Sequence, residues 1–171
     1  MDEVLKKLEK AVVGRRVEVR LILAALRSET PVLIEGDVGR GKTKICMEIA
    51  KALGRPFYRV DGAPDITPSK IVGWFDPSLV LMNAEEAEKL GIKPGFSWDT
   101  FVPGPLTRAM LDGGILFINE GTRLPSDTWN VLLTAMDERV IHIPKLGEVR
   151  AKKGFSVIVT ANPMEYAGTY P

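Results

Sequence analysis

One cysteine and one histidine occur in 171 residues. A single Cys46 cannot close an internal disulfide, so a disulfide-stapled scaffold is excluded, and its place among apolar helix residues reads as a buried, inert thiol. The lone His142 has no Cys or His companions from which to build a zinc cluster, and reads as a solvated strand position. Aromatic residues make up only 7% of the chain. No run reaches the roughly 18 apolar residues that a membrane-spanning helix needs, and no amino-terminal apolar stretch leads to a small-residue cleavage site. The reading that follows is a cytoplasmic protein. Neither sign of charge dominates: 23 basic against 22 acidic residues leave a net charge of +1, so no global field points to nucleic acid or to an anionic membrane. Repeats and low-complexity segments are absent from the sequence. What is there is a mixture of 45% hydrophobic and 26% charged residues, enough for one globular unit over 1–171 with a sizeable core.

The densest information lies in Gly36-Asp37-Val38-Gly39-Arg40-Gly41-Lys42-Thr43. It fits the pattern Gly-x4-Gly-Lys-Ser/Thr without a mismatch. Pro31-Val32-Leu33-Ile34-Glu35 precedes it as a short β-branched apolar run, read as a buried strand. Lys44 to Leu53 follows as a helix with Ile45, Ile49 and Leu53 on one face and Gly54 as its stop. Glycines let a loop curl its N–H groups toward phosphate oxygens, and the helix start adds a positive field. In such a loop Asp37, Val38, Gly39, Arg40, Gly41, Lys42, Thr43 and Lys44 surround the phosphates. Lys42 reaches the β- and γ-phosphates, and the Thr43 hydroxyl holds Mg²⁺.

The remaining pattern alternates strands with helices. Helices are predicted over 2–11 and 16–28, a strand over Phe57–Val60, and a helical turn near Ser69–Val72. A small helix capped by Asn83 and stopped by Gly91 follows, then a helix from Pro105 to Leu111. Ile115-Leu116-Phe117-Ile118 is a continuous apolar run, as a central parallel strand requires. A helix over 125–137 presents Trp129, Leu132, Leu133 and Met136 to the core. A hairpin spans Val140–Ile143 and Val149–Ala151, and Phe155–Ala161 is a further buried strand. This alternation implies a doubly wound, three-layer α/β domain with a mostly parallel sheet.

In such sheets ligands lie at the carboxyl ends of the strands. Glu120 follows one strand and Asn162 ends another. Glu120 there can polarise a water for attack on a γ-phosphate, or cap the next turn. Asn162 can hold that water or a phosphate oxygen, or shape the turn before Pro163. Asp61 offers a hydrogen bond within the site or a simple turn. Arg123 is either a surface arginine or one that reaches across a subunit interface. Trp74, Phe75 and Trp98 either pack a local insertion on the core or form a gripping surface.

The order and spacing of Val12-Val13-Gly14, the phosphate loop, Ile115 to Glu120 and Val159-Thr160-Ala161-Asn162-Pro163 is similar to that of AAA+ ATPases. Within that superfamily the chain resembles the MoxR group. Thr67-Pro68-Ser69, Pro103-Gly104-Pro105-Leu106, Asn119 to Pro125, Leu132 to Glu138, and Ala161-Asn162-Pro163 through Gly168-Thr169-Tyr170-Pro171 carry that likeness, which runs from about Val12 onward. The resemblance implies a P-loop NTPase fold (an AAA+ core) that uses ATP and Mg²⁺. It makes Glu120 the Walker B glutamate and Asn162 sensor 1, each catalytic together with Lys42, and places Val13 and Gly14 near the adenine. It also makes 74–102 a helix-2 insert and 140–153 a pre-sensor β-hairpin, both facing the centre of a homo-hexameric ring. Most relatives carry aspartate where Asn119 stands, steadying Mg²⁺ through water; Asn keeps an acceptor oxygen without the charge. The family's arginine finger, last core strand and helical lid have no match in these residues.

The function implied is an ATP-hydrolysing motor that remodels or matures a partner protein complex. The alternatives are a nucleotide-binding module without useful turnover and an AAA+ protein acting on nucleic acid, against which the near-neutral charge weighs. No Asn-Lys-x-Asp guanine motif is present, and ATP is favoured over GTP by resemblance.

Overall fold

The computed structural model describes residues 3–12, 14–37 and 39–162. The chain opens with α1 (Glu3–Ala11) and α2 (Arg16–Arg27), then β1 (Val32–Glu35), α3 (Lys42–Leu53) and β2 (Phe57–Asp61). Next come α4 (Pro68–Val72), β3 (Gly73–Phe75), α5 (Pro77–Val80), α6 (Ala84–Leu90) and β4 (Phe101–Pro103). After α7 (Pro105–Asp112) and β5 (Ile115–Asn119), a 3-10 turn over Gly121–Arg123 leads into α8 (Ser126–Asp137). The hairpin β6 (Val140–Ile143) and β7 (Gly147–Arg150) precedes β8 (Ser156–Ala161).

Local chemistry sets most of these boundaries. Gly54, Gly91 and Gly113 each stop a helix in the left-handed conformation that a Cβ disfavours. Asn83 accepts the Glu86 N–H at 2.9 Å and so starts α6. Pro105 occupies the first turn of α7, where no amide hydrogen is needed.

The main sheet is parallel throughout, in the order β1-β8-β5-β2. Period-two alternation splits its side chains between two cores. Ile115, Phe117 and Ile158 pack with α1, α2 and α3 on one face. Leu116, Ile118, Val157 and Val159 pack with α7, α8 and the hairpin on the other. Ile115, Leu116, Phe117 and Ile118 are all 0% exposed. Each such side chain contributes about 1.5–3 kcal/mol by leaving water. The three-layer α/β architecture is therefore the one expected.

Two expectations need correction. Among the described residues β1 pairs with β8 alone, and Leu33, read as part of a buried strand, is 68% exposed. The apolar run of β1 resembled a central strand because Val32 and Ile34 face the α1–α3 core, to which they are packed. In α8, Leu133 is 48% exposed, because the inward stripe is Thr128, Leu132 and Ala135. Trp129 is half-buried at the edge of that stripe and donates its indole N–H to the Gly121 carbonyl at 3.0 Å.

The insertion is closed at its base by a ribbon that the sequence pattern did not predict. β3 and β4 pair antiparallel, with Phe75 opposite Phe101. Their rings meet edge to face at 5.2 Å, Phe96 joins Phe75 at 5.0 Å, and Trp98 joins Phe101 at 5.7 Å. Trp74 and Trp98 remain about half exposed. The insert base and the β6–β7 hairpin border a common apolar groove of about 550 Å³, lined by Trp74, Phe75, Phe101, Ile141 and Ile143 among others.

Candidate nucleotide site

The carboxyl end of β1 runs into the glycine loop, and α3 begins directly at Lys42. Gly39 and Gly41 have φ of 80° and 75°, and a Cβ at either would meet no atom within 4 Å. Backbone conformation, not crowding, is what demands glycine at these two positions. Lys42 Nζ donates to the carbonyls of Gly36 and, at 3.1 Å, of Asp37. It also donates to Asn162 Oδ1 at 3.3 Å. Residues 120 positions apart thus meet because β8 pairs directly with β1. Thr43 lies half-buried in the first turn of α3, while Lys44 is exposed. Arg40 is exposed and pairs with Asp37 at 3.4 Å. Val13 and Val38 lie outside the described residues.

Beside the loop is a cavity of about 390 Å³ whose lining includes the apolar Ile22, Ile34 and Ile45, the cations Arg15, Arg40 and Lys42, and the carboxylates Glu18, Glu35 and Asp37. That volume is within the range of small-molecule sites, and it combines an apolar wall with Lys42 and two arginines, each paired to a carboxylate. A second recess of about 210 Å³ adjoins it through Arg15, Arg40 and Ile45, and includes Val12, Gly41 and Lys44. Sequence reasoning missed Arg15. Its guanidinium pairs with Glu18 at 3.0 Å and reaches the Arg40 carbonyl at 3.5 Å. The signal available was an arginine directly after the Gly14 turn.

Glu120 occupies the turn after β5. Its backbone is left-handed, with φ 54° and ψ 52°. A non-glycine residue in that conformation is uncommon and costs about 1–2 kcal/mol, so it persists only where its surroundings hold it. Here they do. Glu120 N–H donates to Thr160 Oγ1 at 3.0 Å, and that hydroxyl donates to Asn119 Oδ1 at 3.1 Å. Asn119 Nδ2 donates to Asp61 Oδ1 at 2.9 Å, and Arg59 grips both Asp61 oxygens at 2.6–3.1 Å. Gly62 N–H donates to the Asn119 carbonyl at 2.7 Å. The Arg59 guanidinium, and secondarily the Asn119 amide, hold the Asp61 carboxyl below the usual aspartate range.

Asp61 therefore engages Asn119 and Arg59. The Glu120 carboxylate instead meets Arg123, Oε2 to Nη1 at 3.0 Å, so Arg123 has a partner within its own chain. Thr160 was not foreseen either, although its signal was legible: a hydroxyl in a fully buried apolar strand must find a partner. His142 is exposed, and Cys46 is fully buried with its thiol pushed up to about 12 by desolvation.

Residues 31–170 match the model of the AAA domain, dynein-related subfamily. The chain belongs to this family. The AAA domain is 30% identical to YeaC of Bacillus subtilis over its whole length. It is 32% identical to the gas vesicle ATPase GvpN2 of Halobacterium salinarum and 30% to NorQ of Paracoccus denitrificans, each over 85% of the chain. It spans 47%, 44% and 48% of those relatives' own lengths, about half in each case. These likenesses bear out the MoxR-type resemblance. Among solved structures, it superposes on a Cytophaga hutchinsonii protein presumed to be an ATPase with a TM-score of 0.72, at 25% identity, over 99% of this chain and 45% of that one. NtrX of Brucella abortus shares the fold alone, with a TM-score of 0.62 at 17% identity over 92% of this chain and 32% of that one.

The oxygen donors fit Mg²⁺ better than a soft metal. Among the described residues no group of three or more His, Cys, Asp or Glu side chains could hold an ion. Mg²⁺ suits such a site, because it keeps several waters and uses one or two protein oxygens beside substrate phosphates. The hydroxyl of Thr43 and the Oδ1 of Asn119 are the oxygen donors that would hold such an ion, the second through water.

Proposed function

We propose that the chain binds ATP with Mg²⁺ at the glycine loop and that the full-length protein hydrolyses it to remodel or mature a partner protein complex. The observation that carries this reading is the meeting of Lys42 with Asn162 at 3.3 Å. One cation at the start of α3 and one amide just after β8 meet beside the glycine loop, which supports a γ-phosphate site there.

In this reading the backbone N–H groups of the loop and Lys42 bind the phosphates. When ATP arrives, its oxygens replace the Gly36 and Asp37 carbonyls as partners of Nζ. Arg15, Ile22, Ile34 and Ile45 wall the nucleoside side. Bound Mg²⁺ supplies neutralisation of phosphate charge beside Thr43. Glu120 accepts a proton from the attacking water, and Asn162 orients that water or the γ-oxygens. The Glu120 carboxylate must first turn from Arg123 toward the phosphates. We place the full-length protein in a homo-hexameric ring in the cytoplasm. The insert and the hairpin lie together around the apolar groove, which favours them as the client-facing surface. No described helix is long and apolar enough to cross a membrane.

The test is equilibrium binding of a fluorescent ATP analogue, with phosphate release measured for this chain and for the full-length protein. Saturable Mg²⁺-dependent binding that Lys42→Ala abolishes supports the reading, and unchanged affinity in that variant refutes it. Release from the full-length protein that Glu120→Gln removes supports the catalytic half.

A further inference from the structure

We propose that Asp61 is a positioning residue that fixes which way the Asn119 amide points, and that the pair carries a single negative charge, on β2. This rests on the nucleotide reading above, and it names how this chain meets the Mg²⁺ end of that site. Asp61 and Asn119 are register partners on adjacent parallel strands. An amide has two chemically distinct ends, one donor and one acceptor, and it swaps them by a half-turn. Asp61 accepts from Nδ2 at 2.9 Å, and a carboxylate gripped by Arg59 has no hydrogen to offer the oxygen end of the amide. Thr160 donates to Oδ1 at 3.1 Å, and can do so because its own acceptor side receives Glu120 N–H at 3.0 Å. Every link in the chain Arg59–Asp61–Asn119–Thr160–Glu120 thus has one permitted direction.

The consequence is specific. With Nδ2 committed to Asp61, Oδ1 faces the Thr160 side, toward β8 and the phosphate loop, and keeps one lone pair for a metal-bound water. If the amide turned over, it would offer N–H groups to that water and repel the ion. An aspartate at 119 would place two carboxylates at hydrogen-bond distance, an arrangement that cannot stay doubly ionised without cost. Asn119 is therefore matched to Asp61. The pair should tolerate exchange of its donor and acceptor better than alteration of either member alone.

The experiment measures affinity for a fluorescent ATP analogue in EDTA and across a Mg²⁺ titration, with melting temperature as a fold check. The variants are Asp61→Asn, Asn119→Asp and the double exchange Asp61→Asn/Asn119→Asp. Asp61→Asn should raise the Mg²⁺ concentration at half-effect about tenfold while leaving affinity in EDTA within about twofold, the size of coupling that contacting residues show. Asn119→Asp alone should not lower that midpoint. The double exchange should bring it back to the wild-type value or below. Three results overturn the proposal: singles that multiply to give the double, an Asp61→Asn midpoint equal to wild type, or equal losses in EDTA and Mg²⁺, which would mark Asp61 as merely structural. Should Asp61→Asn melt early, the comparison of Asn119→Asp with the double exchange still decides, since only the proposal has the second change rescue the first. Wild-type protein that binds no nucleotide with or without Mg²⁺ would instead sink the nucleotide reading, and the proposal with it.

Discussion

Replacing Gly62 by alanine should displace the Glu120 turn without touching the phosphate loop. Gly62 follows β2, and its Cα faces the backbone where β5 passes into Glu120. A Cβ added there would lie 2.9 Å from the Glu120 carbonyl carbon and 3.0 Å from the Asn119 oxygen, and closer still to the Glu120 oxygen. All three atoms are backbone, so no side chain can rotate away. They also hang from β5, whose four apolar residues are completely buried. Forcing a methyl group into such a contact costs about 1–3 kcal/mol. Parting the 2.7 Å bond from Gly62 N–H to the Asn119 carbonyl adds about 0.5–1.5 kcal/mol. The alanine recovers about 0.4–1 kcal/mol by restricting the unfolded chain. The net loss of about 2.5 kcal/mol should lower the melting temperature by roughly 5–10 °C in a domain of this size. Scanning calorimetry or a dye-based melt reads the shift. In the same samples affinity for ATP analogues should stay within about threefold, while phosphate release in the full-length protein falls about tenfold or more as Glu120 moves. A melting temperature within about 1 °C of wild type would refute the reasoning, because the Glu120 turn would then yield freely.

Other expectations follow from the same contacts. Leu132→Ala, in the core under α8, should cost about 2–5 kcal/mol, read as a lower midpoint in denaturant with an unchanged slope. Cys46 should resist thiol reagents at pH 8 in the folded chain and react when the chain unfolds, since burial pushes its thiol up to about 12 from an ordinary value of 9.0. Between those two values the unfolded chain releases a proton that the folded chain keeps, so stability falls as pH rises, by up to about 1.4 kcal/mol per pH unit. Below about pH 9 this group adds no slope. Comparison with Cys46→Ala isolates the effect, and identical alkaline denaturation curves for the two would refute it. Arg123→Ala removes a half-exposed ion pair from Glu120, so stability should change by less than about 1 kcal/mol. A rise in phosphate release from the full-length protein would then show that the pair restrains the glutamate, and a loss would show that Arg123 serves catalysis itself.

The sequence made the scaffold legible because its signals were local. The glycine stops at 54, 91 and 113, the Asn83 cap and the unbroken run at 115–118 each report backbone chemistry within a few residues. The residues proposed for the two ends of the site were picked out for the same reason: each follows a strand directly, and parallel strands share a ligand-binding edge. What was not legible depends on strand order. Nothing local says that Leu33 faces away from the core that Val32 and Ile34 join, so the apolar run read as buried throughout. Nothing local says that residue 61 stands opposite residue 119, so the Asp61–Asn119 bond and the crowding at Gly62 were hidden. The ribbon of β3 and β4 escaped because three-residue strands, one opening on glycine and one closing on proline, carry no alternation to detect.

Strand order also divides the site by its expected rate of local opening. Glu120 hangs from β5, which is paired on both sides by β2 and β8. The phosphate loop hangs from β1, which among the described residues pairs with β8 alone, with Val32 and Ile34 half-buried and Leu33 exposed. Amide hydrogens of Ile115 to Ile118 should therefore exchange with solvent deuterium only through global unfolding, and those of β1 through smaller, more frequent excursions. A phosphate-bearing ligand that ties Lys42 and Asn162 together would bind only the closed form and so slow exchange along β1, by a factor set by its concentration over its dissociation constant. On that view nucleotide does more than occupy the loop: it lends β1 a protection closer to that already possessed by the strand that carries the glutamate.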